Sequence, residues 1–134
     1  MRLIAAIVCA LALFVAGCAN TNPSQMRQKE PARTIDTKAP IRDLYKALLD
    51  SGEAIGWKIA MSDADCRTLS LEERSPNGLE VVTFIVADLT PIEHGTRVEL
   101  RGVNDLVGRS PRYDMDLLWR ITRLVLSSRG VPVD

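Results

Sequence analysis

The sequence predicts an α+β domain, a two-layer sandwich with the order helix, four-stranded antiparallel meander, helix. Three observations carry that expectation. Apolar residues recur at helical spacing in two stretches, near residues 41–55 and 111–126. Between them, from residue 57 to residue 101, the apolar period falls to two. Clusters of Gly, Pro, Asn and Asp then cut this middle stretch into short segments. Each helix has a stripe and the sheet has a face to bury, so packing one layer on the other is the compact solution.

The first helix opens at Pro40, whose fixed φ suits a first turn. Ile41, Leu44, Tyr45, Leu48 and Ile55 fall on one face, with Arg42, Asp43, Lys46, Asp50 and Glu53 elsewhere around the wheel. Gly56 ends it, while Gly52 inside the pattern costs about 1 kcal/mol against Ala. In the first strand Trp57, Ile59 and Met61 share a face. Ser62-Asp63-Ala64-Asp65 turns the chain, and Leu69 and Leu71 alternate with Thr68, Ser70 and Glu72. Ser75-Pro76-Asn77-Gly78 is a turn by composition. Leu79 to Ala87 is β-branched and aromatic enough for a central strand, and Val81 is taken as core. Asp88 to Gly95 reads as a longer loop before the alternating Thr96 to Arg101 strand.

The last helix has Ser110 as its cap, Pro111 in its first turn and Gly130 past its end. Met115, Leu117, Leu118, Trp119, Ile121, Leu124, Val125 and Leu126 cover more than half of its wheel. A helix that apolar needs cover on more than one side. The single domain so defined spans residues 40–131.

Upstream the composition changes. Met1-Arg2 precedes thirteen uncharged residues, Leu3 to Val15. That is the n-region and h-region of a secretory signal, shorter than the roughly 20 apolar residues of a membrane span. Val15-Ala16-Gly17-Cys18 resembles the lipobox of bacterial lipoprotein precursors, and the likeness covers residues 1–18. It implies that residues 1–17 are a signal peptide removed before Cys18, and that Cys18 is lipidated, palmitate being the usual type of chain. Two or three acyl chains hold a protein to a membrane effectively for good, where one is marginal. An ordinary cleaved signal, or an uncleaved anchor, is the alternative in which Cys18 is incidental. Ala19, by the same resemblance, implies the outer membrane with the domain facing the periplasm, or the plasma membrane of a Gram-positive host.

Residues 18–39 are rich in Asn, Thr, Pro, Ser, Gln, Lys and Arg, with little to bury, and so read as the lipidated cysteine and a flexible tether. Its r.m.s. reach is about 25 Å, which floats the domain clear of the lipid. Packing of Arg33-Thr34-Ile35-Asp36-Thr37 as an extra strand is the alternative. Behind lipobox and linker, the element order resembles the helix-grip domain of BamC-type envelope lipoproteins over residues 40–130. Gly56-Trp57-Lys58-Ile59 and Gly95-Thr96-Arg97-Val98-Glu99-Leu100 are the local likenesses. The resemblance implies a fold and no functional residue.

In the 134 residues, 17 Lys+Arg balance 17 Asp+Glu, which removes any bulk electrostatic reason to hold nucleic acid. One histidine and three cysteines leave little for a zinc site. His94 in Pro91-Ile92-Glu93-His94-Gly95 is read as a solvated turn residue. The pairs Asp63-x-Asp65 and Asp114-x-Asp116 lack a calcium loop's spacing and are assigned to turn chemistry and helix N-terminal charge. Arg97 and Arg101 share a strand face with Glu99, so pairing explains them before an anionic partner does; Arg109 and Arg112 belong to the same weighing. Trp57 and Trp119 are read as core anchors. Cys66 is the one thiol left once Cys9 departs with the signal and Cys18 is acylated; a shielded, monomeric thiol is expected.

The functional expectation follows. It is a lipid-anchored periplasmic envelope protein acting by protein–protein contact in envelope assembly or maintenance. Catalysis, catalytic residues, metal and cofactor are not expected. Its partners would be the membrane, through acyl chains on Cys18, and an envelope protein. The alternative is a binding module of helix-grip type that encloses a small apolar ligand or lipid between sheet and last helix.

Overall fold

The computed structural model describes residues 28–29, 31–104 and 110–134. In chain order they form β1 (Gln28–Lys29), β2 (Arg33–Thr37), α1 (Ile41–Ile55), β3 (Lys58–Ser62), β4 (Thr68–Arg74), β5 (Val81–Ile92), β6 (Gly95–Asn104) and α2 (Pro111–Ser128). The fold is the expected α+β sandwich. Its sheet is wholly antiparallel, β3 to β6 forming the meander. β1 and β2 pair one after the other along the outer edge of β6, so the sheet is five strands wide instead of four.

That extra edge moves the domain boundary. The reading of 18–39 as tether fails over its last residues, because Arg33 to Thr37 pair with Leu100 to Thr96. Thr37 and Ala39 are buried, and Thr96 Oγ1 donates to the Ala39 carbonyl at 2.8 Å. Burial of alternate residues and a full ladder of backbone hydrogen bonds outweigh a polar composition. At the other end the domain continues past residue 131. The Val133 carbonyl accepts from the Lys38 amide at 2.9 Å and from Thr37 Oγ1 at 2.5 Å, which closes the two ends of the domain on each other.

The meander differs from expectation in three places. Residues 88–92 are not loop: β5 keeps its period through Thr83, Ile85, Ala87 and Leu89, all buried, with Asp88 on the outward face where a charge is welcome. Glu93 and His94 alone make the turn, and Gly95 answers it with φ +147°. A Cβ there would lie 1.9 Å from the Thr37 carbonyl oxygen, so only glycine lets β2 close over the hairpin. The strand begins at Val81 and not at Leu79, which sits exposed in the β4–β5 turn, and Val81, taken as core, is half-buried.

β3 is the third case. Trp57 is buried, but Ile59 and Met61 are not its companions in the core; both are exposed. A register shift between Ile59 and Met61 sets Ile59 opposite Leu71 and Met61 opposite Ser70, breaking the simple alternation. As the last strand of the sheet, β3 also extends beyond the cover of the helices.

The helices follow the sequence closely. Pro40 stands at the N-cap of α1, and Gly56 ends it in the left-handed region at φ +95°. Gly52 has a packing reason, since a Cβ would lie 2.8 Å from Leu71 Cδ2. For α2, Ser110 Oγ accepts from the Arg112 amide at 3.1 Å, and Pro111 fills the first turn. The two helices lie side by side, joined by Thr122 Oγ1 donating to Ser51 Oγ at 3.2 Å and by the Arg129–Asp50 ion pair. Leu44, Leu48, Leu69, Leu71, Ile85, Leu100, Leu118 and Leu126 form a core with no solvent exposure.

Candidate functional site

The inward face of the sheet changes character along its length. Val98, Leu100 and Gly102 of β6 meet apolar side chains, and α2 rests on Gly102 closely enough that a Cβ would be 3.3 Å from Pro111 Cβ. One step further along the same phase is Asn104. It stands in register with Thr83 of β5, which stands in register with Glu73 of β4. Thr83 Oγ1 donates to Glu73 Oε1 at 3.0 Å, and Asn104 Nδ2 donates to Asp114 Oδ2 of α2 at 3.2 Å. Thr83, Asn104 and Asp114 are buried. A polar layer therefore closes the core beneath the N-terminal turn of α2. Buried groups of this kind must be hydrogen-bonded to be tolerated, which ties α2 to the sheet at one register.

Beside this layer, between the β1–β2 connection and the first turn of α2, lies a cleft of about 320 Å³. Pro31, Ala32, Arg33, Arg112 and Met115 line it. Met115 is almost fully buried and is an apolar part of the lining, whereas Arg33 is half-buried and Arg112 exposed. Arg33 is ion-paired with Asp116, a link from the edge strand to α2. The volume is at the small end of ligand sites, and the chemistry suits a molecule with an apolar body and an anionic group. Among the described residues no three His, Cys, Asp or Glu side chains are grouped so as to hold a metal ion.

No family model matches the sequence, and no curated protein matches it. Solved structures do. Protein MLL2253 from Mesorhizobium loti is 12% identical over 73% of this chain and 98% of its own, with a TM-score of 0.48. The AHSA1-like protein from Aeromonas hydrophila is 11% identical over 75% and 94%, with a TM-score of 0.41. The di-domain ARO/CYC StfQ from the steffimycin biosynthetic pathway is 9% identical, with a TM-score of 0.40, over 81% of this chain and 54% of that one. Likenesses this faint carry no argument about activity. The fold rests on this chain's own element order and register.

Cys18, the lipidation residue expected from the lipobox, lies outside the described residues, as does Arg109. The other residues singled out by sequence fall as follows. His94 is exposed at the β5–β6 turn, 3.8 Å from Glu93. Asp63 accepts from the Asp65 amide at 2.9 Å, an ordinary side-chain turn. Arg97 holds Asp36 through two hydrogen bonds, at 2.7 and 3.0 Å, and Arg101 pairs with Asp88. The Arg97 guanidinium holds the Asp36 carboxyl below its ordinary value, mainly by hydrogen bonding, and Asp36 raises Arg97 in turn. Trp57 and Trp119 are buried in the core. Cys66 is half-buried against that core, in a left-handed turn at φ +57°.

Sequence reasoning assigned Asp114 to helix N-terminal charge, and it did not single out Arg33, Glu73, Thr83 or Asn104. One signal was available: Asn104 falls on the phase of Val98, Leu100 and Gly102, where a polar side chain needs a reason.

Proposed function

We propose that this chain is a lipid-anchored periplasmic protein whose domain binds a small amphipathic molecule without transforming it. The cleft carries the reading: the nearly buried Met115 and two arginines line it, next to a polar layer that fixes the first turn of α2. Residues 1–18 support the anchor through their likeness to a lipoprotein signal. A carboxylate or phosphate head would meet Arg33 and Arg112, and a short apolar tail would lie on Met115.

Native mass spectrometry of the chain extracted from membranes tests this. A retained small molecule, lost in Met115→Trp because the indole fills the cleft, is the expected result. A chain that carries no small molecule in either form overturns it.

A second reading, contact with an envelope protein, is favoured by β3. Every residue of this edge strand is exposed, Ile59 and Met61 included. An open strand edge of that kind can accept a further strand. Photo-crosslinking from Met61 in intact cells would identify such a neighbour.

A further inference from the structure

We infer that the outward face of α2 docks on an anionic bilayer, so that the domain lies on the lipid surface instead of floating above it. The inference rests on the acyl anchor proposed for Cys18 and adds a second, independent contact.

The face is amphipathic along its own axis. At about 100° per residue, Tyr113, Leu117, Ile121 and Leu124 fall within roughly 80° of one another. Tyr113 is 55% and Leu124 63% exposed, whereas the opposite side of the helix, around Leu118 and Thr122, is buried. Leu117 and Ile121 are half-buried between them. Arg120 borders this stripe, and Arg112 and Arg123 lie beyond it. Arg123 pairs with Asp134 and Asp116 with Arg33, but Arg112 and Arg120 form no ion pair among the described residues. The outward face of the sheet is different, because its arginines Arg97 and Arg101 are paired with Asp36 and Asp88. Arg120, a cation without an ion pair among the described residues at the border of an apolar stripe, complements phosphate headgroups above acyl chains.

The path of the chain points to the same side. β1 pairs Gln28 with Asn104, and Pro31 and Ala32 line one cleft with Arg112 and Met115. The described chain thus begins beside the first turn of α2. Cys18 precedes Gln28 by ten residues, a span of at most about 35 Å. The helix itself is about 27 Å long. An anchor on so short a lead leaves the α2 face within reach of the membrane. Leu124, Leu117 and Ile121 would enter the acyl boundary, Tyr113 would sit at headgroup level, and Arg120 would extend to phosphates.

The test uses the full chain purified from membranes and reconstituted into phosphatidylethanolamine–phosphatidylglycerol vesicles with brominated acyl chains. Leu124→Trp reports the α2 face, and Thr90→Trp, at an exposed site on the outward face of the sheet, is the control. Emission from the buried Trp57 and Trp119 is subtracted. We expect quenching several-fold stronger at position 124 than at position 90. A further variant, Arg120→Glu with Cys18→Ser, should bind anionic vesicles roughly tenfold or more weakly than Cys18→Ser alone. Intact mass reads acylation of Cys18 separately. An acylated chain quenched equally at both positions overturns the docking face and leaves the anchor intact. An unacylated chain still quenched at position 124 removes the anchor and supports the face. Neither acylation nor selective quenching removes both.

Discussion

The middle of α2 and its first turn sit on the same strand of the sheet and solve opposite problems. Towards the middle, Leu118 and Met115 belong to one buried apolar core with Ile85 and Leu100, and nearer the start of the helix Gly102 lets Pro111 and Met115 come close to β6. At the first turn, one step along the same inward phase, Asn104, Thr83 and Glu73 replace apolar side chains, and Asp114 of the helix accepts from Asn104. The two regions divide the work of the fold. The apolar region stabilises without specifying a unique register, and the polar region fixes the register of α2 and borders the cleft.

The sharpest way to break the contrast is Leu118→Ala. This side chain has no exposure, so the substitution removes buried methyl groups and leaves a cavity, at a cost of about 2–5 kcal/mol. Urea unfolding of the full chain in detergent should show the shift in midpoint. A shift of a few tenths of a kcal/mol would mean that the centre of the domain is looser than its burial implies.

Asn104→Ala probes the other region and should cost less, about 1–3 kcal/mol, by taking a donor from the buried Asp114 carboxylate. Its more telling effect should be on order at the cleft. Amide exchange in the first turn of α2 should accelerate more in Asn104→Ala than in Leu118→Ala, once each is compared at equal global stability. Equal acceleration would dissolve the distinction between the two regions.

Much of the apolar region was legible in the sequence because burial leaves a period. The 3.6-residue recurrence from Leu44 to Leu48 and from Met115 to Leu126 located both helices, and Ser110, Pro111 and Gly56 marked their ends within a residue. The strands were legible wherever both faces obeyed one rule. They were misread where a polar residue belonged to a strand, as at Asp88, or where a register shift reset the phase, as between Ile59 and Met61. β2, offered by the sequence only as the alternative to a tether, was ranked second on composition: its ladder with β6 is made of backbone groups, which no side-chain pattern announces. The cleft was hidden for a related reason. Arg33 and Arg112 are 79 positions apart in sequence, and only the pairing of β2 with β6 brings them to one opening.

The smallest effect concerns the outward face of that same β2–β6 edge, where Asp36 and Arg97 are directly opposed. Both side chains are about half exposed, so solvent screens the pair and its contribution to stability is slight. Its pH dependence is nonetheless defined in sign. Arg97 lowers the folded-state pKa of Asp36 from the ordinary value of 3.8, mainly through its hydrogen bond and also through its charge. The folded protein therefore holds the ionised form more strongly than the unfolded chain does. That stabilisation is fully present above the unfolded-state value and is lost as pH falls through the lower folded-state value. Asp36→Asn should accordingly unfold at slightly lower urea than the parent at neutral pH and low salt. The difference should narrow at high salt and close in strong acid, where the parent carboxyl is itself neutral. A difference that persists unchanged in acid would show that residue 36 acts through strand packing, and that the outward edge owes nothing to its charges.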